Sequence, residues 1–271
     1  MNSTHRLDDP RRLLAETLSV PNAHPVFITG AGISIASGIA PFRGTPDAVW
    51  EKDVTEKGTF DYFLCHPVEA WQWLLSALAG ATGAKPNPAH LALARLEEKL
   101  EDRMTLITQN VDGLHLAAGS KRCLEVHGNM RHMRCVDRFC SSGFGGTRGL
   151  LPWDEVQVSR FLTNPCRETL PRCPCGKILR AHVLWFDECY DGHEDYQFVQ
   201  AIKAFNKMTA LIFIGTSFAV GFTELAKLAG YQYRVPMFVI DPHDSLRFPG
   251  LHIQAAAEDF LPHLAAAVEV G

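Results

Sequence analysis

Short apolar segments alternate with longer helical patterns along most of the chain, and this alternation restricts the folds that are open to it. The short segments are apolar on both faces, as the strands of a parallel sheet are when helices cover it. Strands are predicted at 25–29, 104–110, 123–128, 209–215 and 236–241. Helical patterns occupy 66–81, 88–101, 195–207, 223–231 and 258–269. Together they predict an α/β fold built on a doubly wound parallel sheet.

Size and charge are those of one domain with a small inserted lobe, since 271 residues can bury a full core. The net charge of −4 gives no basic field, so neither nucleic acid nor an anionic membrane is expected as a partner. The polar start MNSTHRLDDP does not resemble a signal peptide, and no apolar run approaches the roughly 18 residues of a spanning helix. A cytoplasmic protein is therefore expected.

The alternation breaks between residues 129 and 182, where two close pairs of cysteines flank a segment poor in apolar residues. Cys135 and Cys140 form one pair, and Cys173 and Cys175 form the other. In a reducing compartment such pairs bind metal more often than they form disulfides. We predict one structural zinc with four sulfur ligands and therefore no catalytic role, the alternative being four unrelated cysteines. The remaining cysteines are expected to be small buried hydrophobes, namely Cys65, Cys123, Cys166 and Cys189.

The loop after the first predicted strand reads GAGISIASGIAPFRG (30–44) and begins like a dinucleotide-binding turn. Gly30 and Gly32 allow a tight turn and a close approach of the backbone to a pyrophosphate. A single GxG is weak, because many strand-to-helix turns need glycine for a positive φ alone. Asp241, at the end of a late strand, is the better candidate for a ribose-binding carboxylate. Segment 37–47 is a poor helix and is expected to be a lid that excludes water from a reactive sugar.

Three further segments follow predicted strands at the same carboxyl edge, where open α/β sheets bind ligands. Gln109, Asn110 and Asp112 supply amides and a carboxylate suited to a ribose and a carboxamide. His127 ends the next strand and could serve as a base, and residues 215–217 offer N–H groups and hydroxyls for phosphates. Each also has a purely structural interpretation, as a turn with Asx caps at 110–113 or as an edge histidine at 127.

These segments, in this order and spacing, resemble the sirtuin family. The similar motifs are GAGISIASGIAPFRG, TQNVDGLH, EVHGN, the two cysteine pairs, LRAHVLWFDE and GTSFAV, and they extend from about residue 22 to residue 264. Sirtuins are NAD-dependent protein-lysine deacylases with a Rossmann-like domain and a small zinc lobe. The resemblance implies one catalytic domain over residues 1–271, with an NAD-binding part at 20–128 and 183–271 and a zinc lobe at about 129–182.

The resemblance also implies a role for each matched residue. His127 would be the general base, with Asn110 as a second catalytic residue. Residues 183–188 would form the strand that pairs with the substrate peptide, through Val183, Trp185, Phe186, Asp187 and Glu188. The NAD-binding residues would be Gly30, Ala31, Gly32, Ile33, Ser34, Phe42, Arg43, Gln109, Asn110, Asp112, Gly215, Thr216, Ser217 and Asp241.

The reaction that the resemblance implies consumes NAD as a co-substrate. The acyl oxygen of an acyl-lysine protein or peptide attacks C1′ of the nicotinamide ribose, and nicotinamide leaves. A base then activates a ribose hydroxyl to attack the resulting imidate, which suits a histidine of near-neutral pKa. Hydrolysis gives free lysine and an acyl-ADP-ribose.

Four positions depart from the family pattern. Pro41 stands where a residue usually bonds the nicotinamide carboxamide, Asp187 where glycine is usual, Asp241 where asparagine is usual and Phe222 where proline is usual. Pro41 and Asp187 favour an alternative on the same scaffold, an NAD glycohydrolase or ADP-ribosyltransferase, which an acyl-peptide would not stimulate. An NAD-sensing binding protein would not need the retained His127. A dehydrogenase would need a substrate-binding half that the sequence does not show.

The predicted helix at 66–81 bears on the choice of acyl group. The family branch that removes succinyl and malonyl groups uses a tyrosine and an arginine on this helix, and Leu74 and Ala77 stand at those positions here. Neither supplies a cation, so an acyl carboxylate would be desolvated and unpaired at a cost of several kcal/mol. Uncharged acyl groups are therefore expected, with Leu74 and Trp73 as candidates for the pocket wall. Packing in the core is an equally good interpretation of the two positions.

Overall fold

A parallel sheet forms the centre of the larger part of the molecule. The computed structural model describes residues 9–40, 57–81, 83–143, 149–219, 221–243 and 250–269. Within these ranges six strands pair in parallel in the order β3-β2-β1-β7-β8-β9. They are β1 Pro25–Thr29, β2 Thr105–Thr108, β3 Cys123–Glu125, β7 Ala210–Ile214, β8 Met237–Asp241 and β9 Leu251–Gln254. The order reverses between β1 and β7, which makes that position the topological switch point of the sheet.

Helices cover the two faces of this sheet. In chain order the helices are α1 Pro10–Ser19, α2 Phe60–Cys65, α3 Pro67–Leu78, α4 Pro88–Leu100, α5 Leu114–Ala117, α6 Glu155–Thr163, α7 Phe198–Phe205, α8 Gly221–Tyr233 and α9 Ala257–Ala267. Short 3₁₀ segments lie at Ala31–Ser37, Ala79–Ala81, Glu101–Arg103 and Glu194–Tyr196. The local sequence determines where several of these helices begin. Asn87, for example, caps α4 by accepting from the Ala89 N–H, and Pro88 takes the first helical position.

Alternating residues along the central strands divide the core into two layers. Phe27 and Ile212 pack with α1, α4 and α9, whereas Val26 and Phe213 pack on the other face with α7 and α8. A strand turns successive side chains to opposite faces, so strands that are apolar throughout serve both layers. The doubly wound, Rossmann-like architecture follows from this pattern.

A second, antiparallel sheet lies beside the first in the chain's middle third. Its strands are β4 Gly128–Cys135, β5 Leu151–Pro152 and β6 Leu179–Val183, in the order β5-β4-β6. Its apolar side packs against α6 and also against α2 and α3, which come from well before it in sequence. Trp71 of α3 is fully buried there and donates its indole N–H to the Leu179 carbonyl O at 3.0 Å.

Each strand and helix predicted from periodicity is present, with ends shifted by a few residues. The prediction missed α1, α2, α5 and β9, and it did not resolve the strands of the second sheet. β9 is short and only one of its four residues is buried, so its sequence lacks the apolar run that marked the other strands. In the described part of the chain, no helix combines the length and the apolar character needed to cross a bilayer.

Candidate active site

The loops that follow β1 and β7 touch through their backbones at the switch point of the sheet. The Gly32 N–H donates to the Gly215 carbonyl O at 2.8 Å, and the Gly30 N–H donates to the Ile214 carbonyl O at 3.0 Å. A Cβ on Gly32 would lie 2.6 Å from Gly215 Cα, and one on Gly30 would lie 2.8 Å from Gly215 O. Gly215 itself has φ +56°. The glycines that resembled a pyrophosphate turn thus also allow two loops to interlock.

The loops after β1 and β2 are joined by side chains that the sequence had singled out. The Ser34 hydroxyl donates to Asp112 Oδ2 at 2.8 Å, and Asn110 Nδ2 donates to Ser34 Oγ at 3.2 Å and to the Gly30 carbonyl O at 3.1 Å. Asp112 Oδ1 accepts from the Leu114 N–H, which begins α5. Ser34 and Asn110 are buried. These three residues form one connected polar cluster at the carboxyl edge of the sheet.

His127 follows β3 and is held by a neighbouring loop. Its Nδ1 lies 2.8 Å from the Gln109 carbonyl O, which can only accept, so Nδ1 carries the proton and Nε2 carries the lone pair. Burial lowers the pKa of His127 to about 4, against an opposing contribution from the Gln109 carbonyl. The imidazole is therefore neutral at physiological pH. This value lies below the near-neutral pKa expected from the sequence, because the half-buried ring loses part of the hydration that would stabilise its charged form.

Sequence reasoning missed a buried pair of histidines, His90 and His115, near the loop that follows β1. Asn87 Nδ2 donates to the Ile33 carbonyl O at 2.7 Å and to Ser37 Oγ at 3.0 Å, and the Asn87 N–H donates to His90 Nδ1 at 3.4 Å. The His90 and His115 rings lie 4.8 Å apart, centroid to centroid. Burial lowers the pKa of His90 to about 4 and that of His115 to about 3.

His115 connects this pair to the strand ends. Its Nε2 lies 2.9 Å from the Thr29 hydroxyl, which in turn donates to Thr108 Oγ1 at 2.9 Å. The Thr108 hydroxyl oxygen accepts from the Asn110 N–H at 3.1 Å. The histidines of the motifs NPAH and DGLH were the available signal, since two histidines on apolar helix faces need polar partners in a core.

Of the residues that the resemblance assigns to NAD binding, those that follow β7 and β8 lie on the other side of the switch point. Thr216 is buried and Ser217 is exposed, both after β7. Asp241 ends β8 and accepts from the His243 N–H at 2.9 Å. Ala31 and Ile33 belong to the 3₁₀ segment after β1. Pro41, Phe42 and Arg43 lie outside the described residues, as do the lid residues up to 47.

The strand predicted over 183–188 is wrong in its bounds, because β6 ends at Val183 and the chain then turns. Trp185 is buried between Phe63 and Trp73, and its indole Nε1 has no hydrogen-bond partner among the described residues. Phe186 is exposed. The charge of Asp187 does not project freely, since its carboxylate accepts from the N–H groups of Phe60 at 2.6 Å and Asp61 at 3.0 Å.

Glu188 is the centre of a buried ion cluster. Its carboxylate accepts from Arg180 at 2.7 and 2.6 Å, from Arg134 at 2.8 Å and from the Trp185 N–H at 3.0 Å. Both arginine side chains are only 1% exposed. Arg180 also donates to the Val183 carbonyl O at 2.6 Å. The cluster fixes the turn after β6, so the contacts of Glu188 in this structure are structural.

The two cysteine pairs meet at one point of the second lobe. The four sulfur atoms of Cys135, Cys140, Cys173 and Cys175 lie within 4.8 Å of one another. Two of the distances are 3.5 Å and 3.7 Å, close to the edge of about 3.8 Å that follows from four Zn–S bonds of about 2.3 Å in a tetrahedron. The donor set therefore fits one structural zinc.

The other four cysteines were expected to be buried, and for most of them this is wrong. Cys123 is buried under the sheet, but Cys65 and Cys189 are exposed and Cys166 is half-buried. Cys65 ends a short helix and Cys189 lies in a turn, so neither location has a second layer to cover it. Composition alone does not distinguish these surroundings.

Comparison with known proteins places this arrangement among described relatives. The sequence model of the Sir2 family matches residues 30–221. The NAD-dependent protein deacetylase of Sulfolobus acidocaldarius is 37% identical over 214 residues, which cover 79% of this chain and 76% of that protein. A Sir2 homologue solved as an NAD complex superposes with a TM-score of 0.77 at 28% identity, covering 95% of this chain and 93% of that one. A Sir2–p53 peptide–NAD⁺ complex gives a TM-score of 0.74 at 26% identity, covering 94% and 97%.

Proposed function

The chain belongs to the Sir2 family, and from this membership we propose which of its residues carry out NAD-dependent protein-lysine deacylation. The protein is an NAD-dependent protein deacylase that releases nicotinamide and O-acyl-ADP-ribose. NAD is its co-substrate, and the four cysteines fit one structural zinc ion. The described residues that we assign to NAD binding and to catalysis lie around the carboxyl edge of the parallel sheet.

The polar cluster of Ser34, Asn110 and Asp112 supports a binding site for the nicotinamide half of NAD. Its members come from two different loops and hold each other with bonds of 2.8–3.2 Å, so the site is preorganised. Gln109 lies in the same loop, next to the interlocked glycines. The glycine contact at the switch point supports the proposal that the loops after β1 and β7 bind the phosphates of NAD, since open α/β sheets bind ligands at this position. Gly215, Thr216, Ser217 and Asp241 would then take the adenosine side.

His127 carries the proposal for the chemical step. One ring nitrogen is committed to the Gln109 carbonyl, so the other presents a lone pair in a fixed direction. A neutral imidazole in this tautomer can take a proton from a ribose hydroxyl and deliver it later to the leaving lysine. Asn110, tied to the loop after β1, would hold the ribose that reacts.

The alternative of NAD hydrolysis or ADP-ribosylation loses one of its two reasons. Asp187 places a carboxylate where glycine is usual, but this carboxylate accepts hydrogen bonds from two N–H groups of α2. The Sir2–p53 peptide–NAD⁺ complex shows that a structural relative accepts a peptide. We propose that this chain binds an acyl-lysine peptide beside residues 183–186, where the exposed Phe186 and the Trp185 indole N–H lie; that indole N–H has no hydrogen-bond partner among the described residues.

The acyl chain is proposed to enter beside Trp73 and Leu74. The Trp73 ring stacks on Trp185 with centroids 6.2 Å apart, which joins α3 to the proposed peptide segment. Leu74 is buried in the same apolar cluster, and Ala77 lies one turn further along. A wall of this composition favours uncharged acyl groups, because it offers no partner for a carboxylate.

Residues 20–128 and 183–271 are proposed to bind NAD, with residues 129–182 as the zinc lobe. The packing of α2 and α3 on the second sheet shows that segments outside 129–182 also contribute to the core of that lobe. Four sulfur ligands would fill the coordination shell of a zinc ion bound there, so its proposed role is structural. A cytoplasmic location stays a prediction.

Replacing the base tests the proposal. The variant His127→Ala should lose about 10²–10⁴ in deacylation rate while it keeps its fold and binds NAD. The measurement is mass spectrometry of an acetyl-lysine peptide incubated with and without NAD, with circular dichroism of the variant as a fold control. Product formation by the variant near the wild-type rate would contradict the role of His127. Nicotinamide release that the acyl-peptide does not stimulate would favour NAD hydrolysis instead.

A further inference from the structure

The lone pair of His127 is already occupied in the structure. His127 Nε2 lies 3.2 Å from the hydroxyl oxygen of Tyr190, and the two rings stack with centroids 5.7 Å apart and an interplanar angle of 29°. Tyr190 follows the proposed peptide segment and was not among the residues that the sequence singled out. The contact therefore joins the general base to the turn that leaves the peptide site.

The direction of this hydrogen bond follows from its partners. His127 Nδ1 must donate to the Gln109 carbonyl O, which leaves Nε2 as an acceptor. Burial raises the pKa of Tyr190, with the Phe222 N–H acting in the opposite sense, so the phenol keeps its proton at neutral pH. The Tyr190 O–H accordingly donates to Nε2. The bond uses the same lone pair that has to accept a proton from the ribose hydroxyl.

Several aromatic side chains hold Tyr190 in this position. Its ring stacks on Phe198 of α7 at 5.4 Å and contacts Phe222 of α8 at 5.8 Å, centroid to centroid. Phe222 is fully buried and packs on Phe205 at 6.0 Å. The phenylalanine that replaces the usual proline at position 222 thus supports the ring of Tyr190. The Gly192 N–H closes a turn onto the Cys189 carbonyl O at 3.0 Å around Tyr190.

We propose that the Tyr190 hydroxyl holds the proton-accepting nitrogen of His127 in the free enzyme and gives it up when the ribose hydroxyl takes its place. Tyr190 is then a positioning residue that acts through the base. The Gln109 carbonyl already fixes the tautomer of the imidazole, so the effect of the phenol is to compete with the substrate for Nε2. This inference rests on the proposed role of His127, and it assigns no proton transfer to the phenol.

The two halves of the reaction respond differently to such a competitor. Exchange of labelled nicotinamide into NAD requires only that the glycosidic bond breaks and re-forms, so it does not use the base. Deacylation requires the base to activate the ribose hydroxyl. The ratio of deacylation to exchange at a fixed nicotinamide concentration reports how fast the common intermediate goes forward, whichever step limits turnover.

The variant Tyr190→Phe removes the hydroxyl and keeps the stacked ring. We expect the ratio of deacylation to exchange to rise about three- to tenfold, the equilibrium value of one neutral hydrogen bond. Its exchange activity should stay near that of the wild type, which also shows that the variant is folded and binds both substrates. An unchanged ratio would overturn the inference, and so would a lower ratio, because that would mean that the phenol assists the base.

Two further variants separate this inference from the assignment of the base. Tyr233→Phe removes a hydroxyl that donates to Asn206 Oδ1 at 2.6 Å, far along α8, and should leave the ratio unchanged. His127→Ala should lower the deacylation rate by about 10²–10⁴ and retain exchange. If His127→Ala leaves the ratio unaltered, the proposed base is wrong. If His127→Ala strongly lowers the ratio of deacylation to exchange while Tyr190→Phe leaves it unchanged, only the role of Tyr190 is refuted.

Discussion

Neutralising Glu188 should destabilise the protein more than any ordinary surface substitution. The change Glu188→Gln keeps the shape of the side chain but removes its charge from between Arg134 and Arg180. Both guanidiniums are buried, and their N–H groups currently meet carboxylate oxygens at 2.6–2.8 Å. A glutamine presents one acceptor oxygen and turns two donors toward the arginines. The two buried positive charges would then lose the carboxylate that they share.

The size of the effect follows from that geometry. Breaking a buried ion pair by removing one partner costs about 3–5 kcal/mol. At roughly 2–4 °C per kcal/mol for a chain of this size, the melting temperature should fall by about 6–20 °C. Thermal unfolding followed by circular dichroism measures it, with urea unfolding giving the free energy directly.

The pH dependence supplies an independent check on the same carboxylate. Burial by itself would raise the pKa of Glu188, but the Arg180 hydrogen bonds and the charges of both arginines outweigh it and lower the pKa below 4.5. The stabilisation is therefore fully present above the pKa of an unfolded glutamate, about 4.3, and is lost as pH falls through the folded pKa. The stability difference between wild type and Glu188→Gln should shrink below about pH 4.5.

A matched variant controls for the loss of a glutamate as such. Glu69 is exposed and accepts one hydrogen bond from the Tyr62 hydroxyl at 2.7 Å. Glu69→Gln should change stability by less than about 0.5 kcal/mol. The melting temperatures of Glu188→Gln and Glu69→Gln are the values to compare. A difference of less than about 2 °C, which corresponds to roughly 0.5–1 kcal/mol, would refute the idea that the arginines depend on this charge.

Three other outcomes are expected. Purified protein should carry about one zinc per chain, and Cys173→Ser should lower the melting temperature or make the protein insoluble; a folded, active preparation free of zinc would contradict this. Among matched peptides, uncharged acyl-lysines should exceed succinyl-lysine in kcat/KM by about 10²-fold, and succinyl as the best substrate would refute the pocket argument. Burial lowers the pKa values of His90 and His115 to about 4 and about 3. Their contribution to the free energy of unfolding should therefore be fully present above pH 6.5 and be lost as pH falls toward 4. An unchanged urea midpoint between about pH 7.5 and 5.5 would contradict this expectation.

The sequence predicted the central sheet well because its strands are buried on both faces. The run PVFIT is apolar up to Thr29 and is buried along its whole length, a pattern that is typical of a covered parallel sheet. The cysteine site was also predictable, since two close pairs limit the geometry by themselves. By contrast, the second sheet contains charged and polar residues such as Arg134 and Arg180. Only tertiary contacts show that these are buried.

The limits of prediction at the site have a similar cause. Asp187 and Glu188 belong to a motif associated with peptide binding, yet here one caps α2 and the other neutralises two arginines. Asn87 and Tyr190 come from segments that are far in sequence from the residues that they contact. Neither their spacing from the motifs nor the composition of the surrounding segment identifies them. A residue that acts by hydrogen bonding to the side chain of another residue cannot be recognised from its own stretch of sequence.

The interlocked glycines restrict how this site can change by mutation. Because the contact between Gly32 and Gly215 is between backbone atoms, no smaller neighbour can be substituted to make room for a new Cβ. A second-site suppressor of an alanine at either position would have to displace a whole strand end, with its ladder of hydrogen bonds. Combinatorial libraries that aim to alter dinucleotide preference should therefore keep both codons fixed. Diversity belongs instead at positions such as Ser217, whose exposed side chain can vary without moving the sheet.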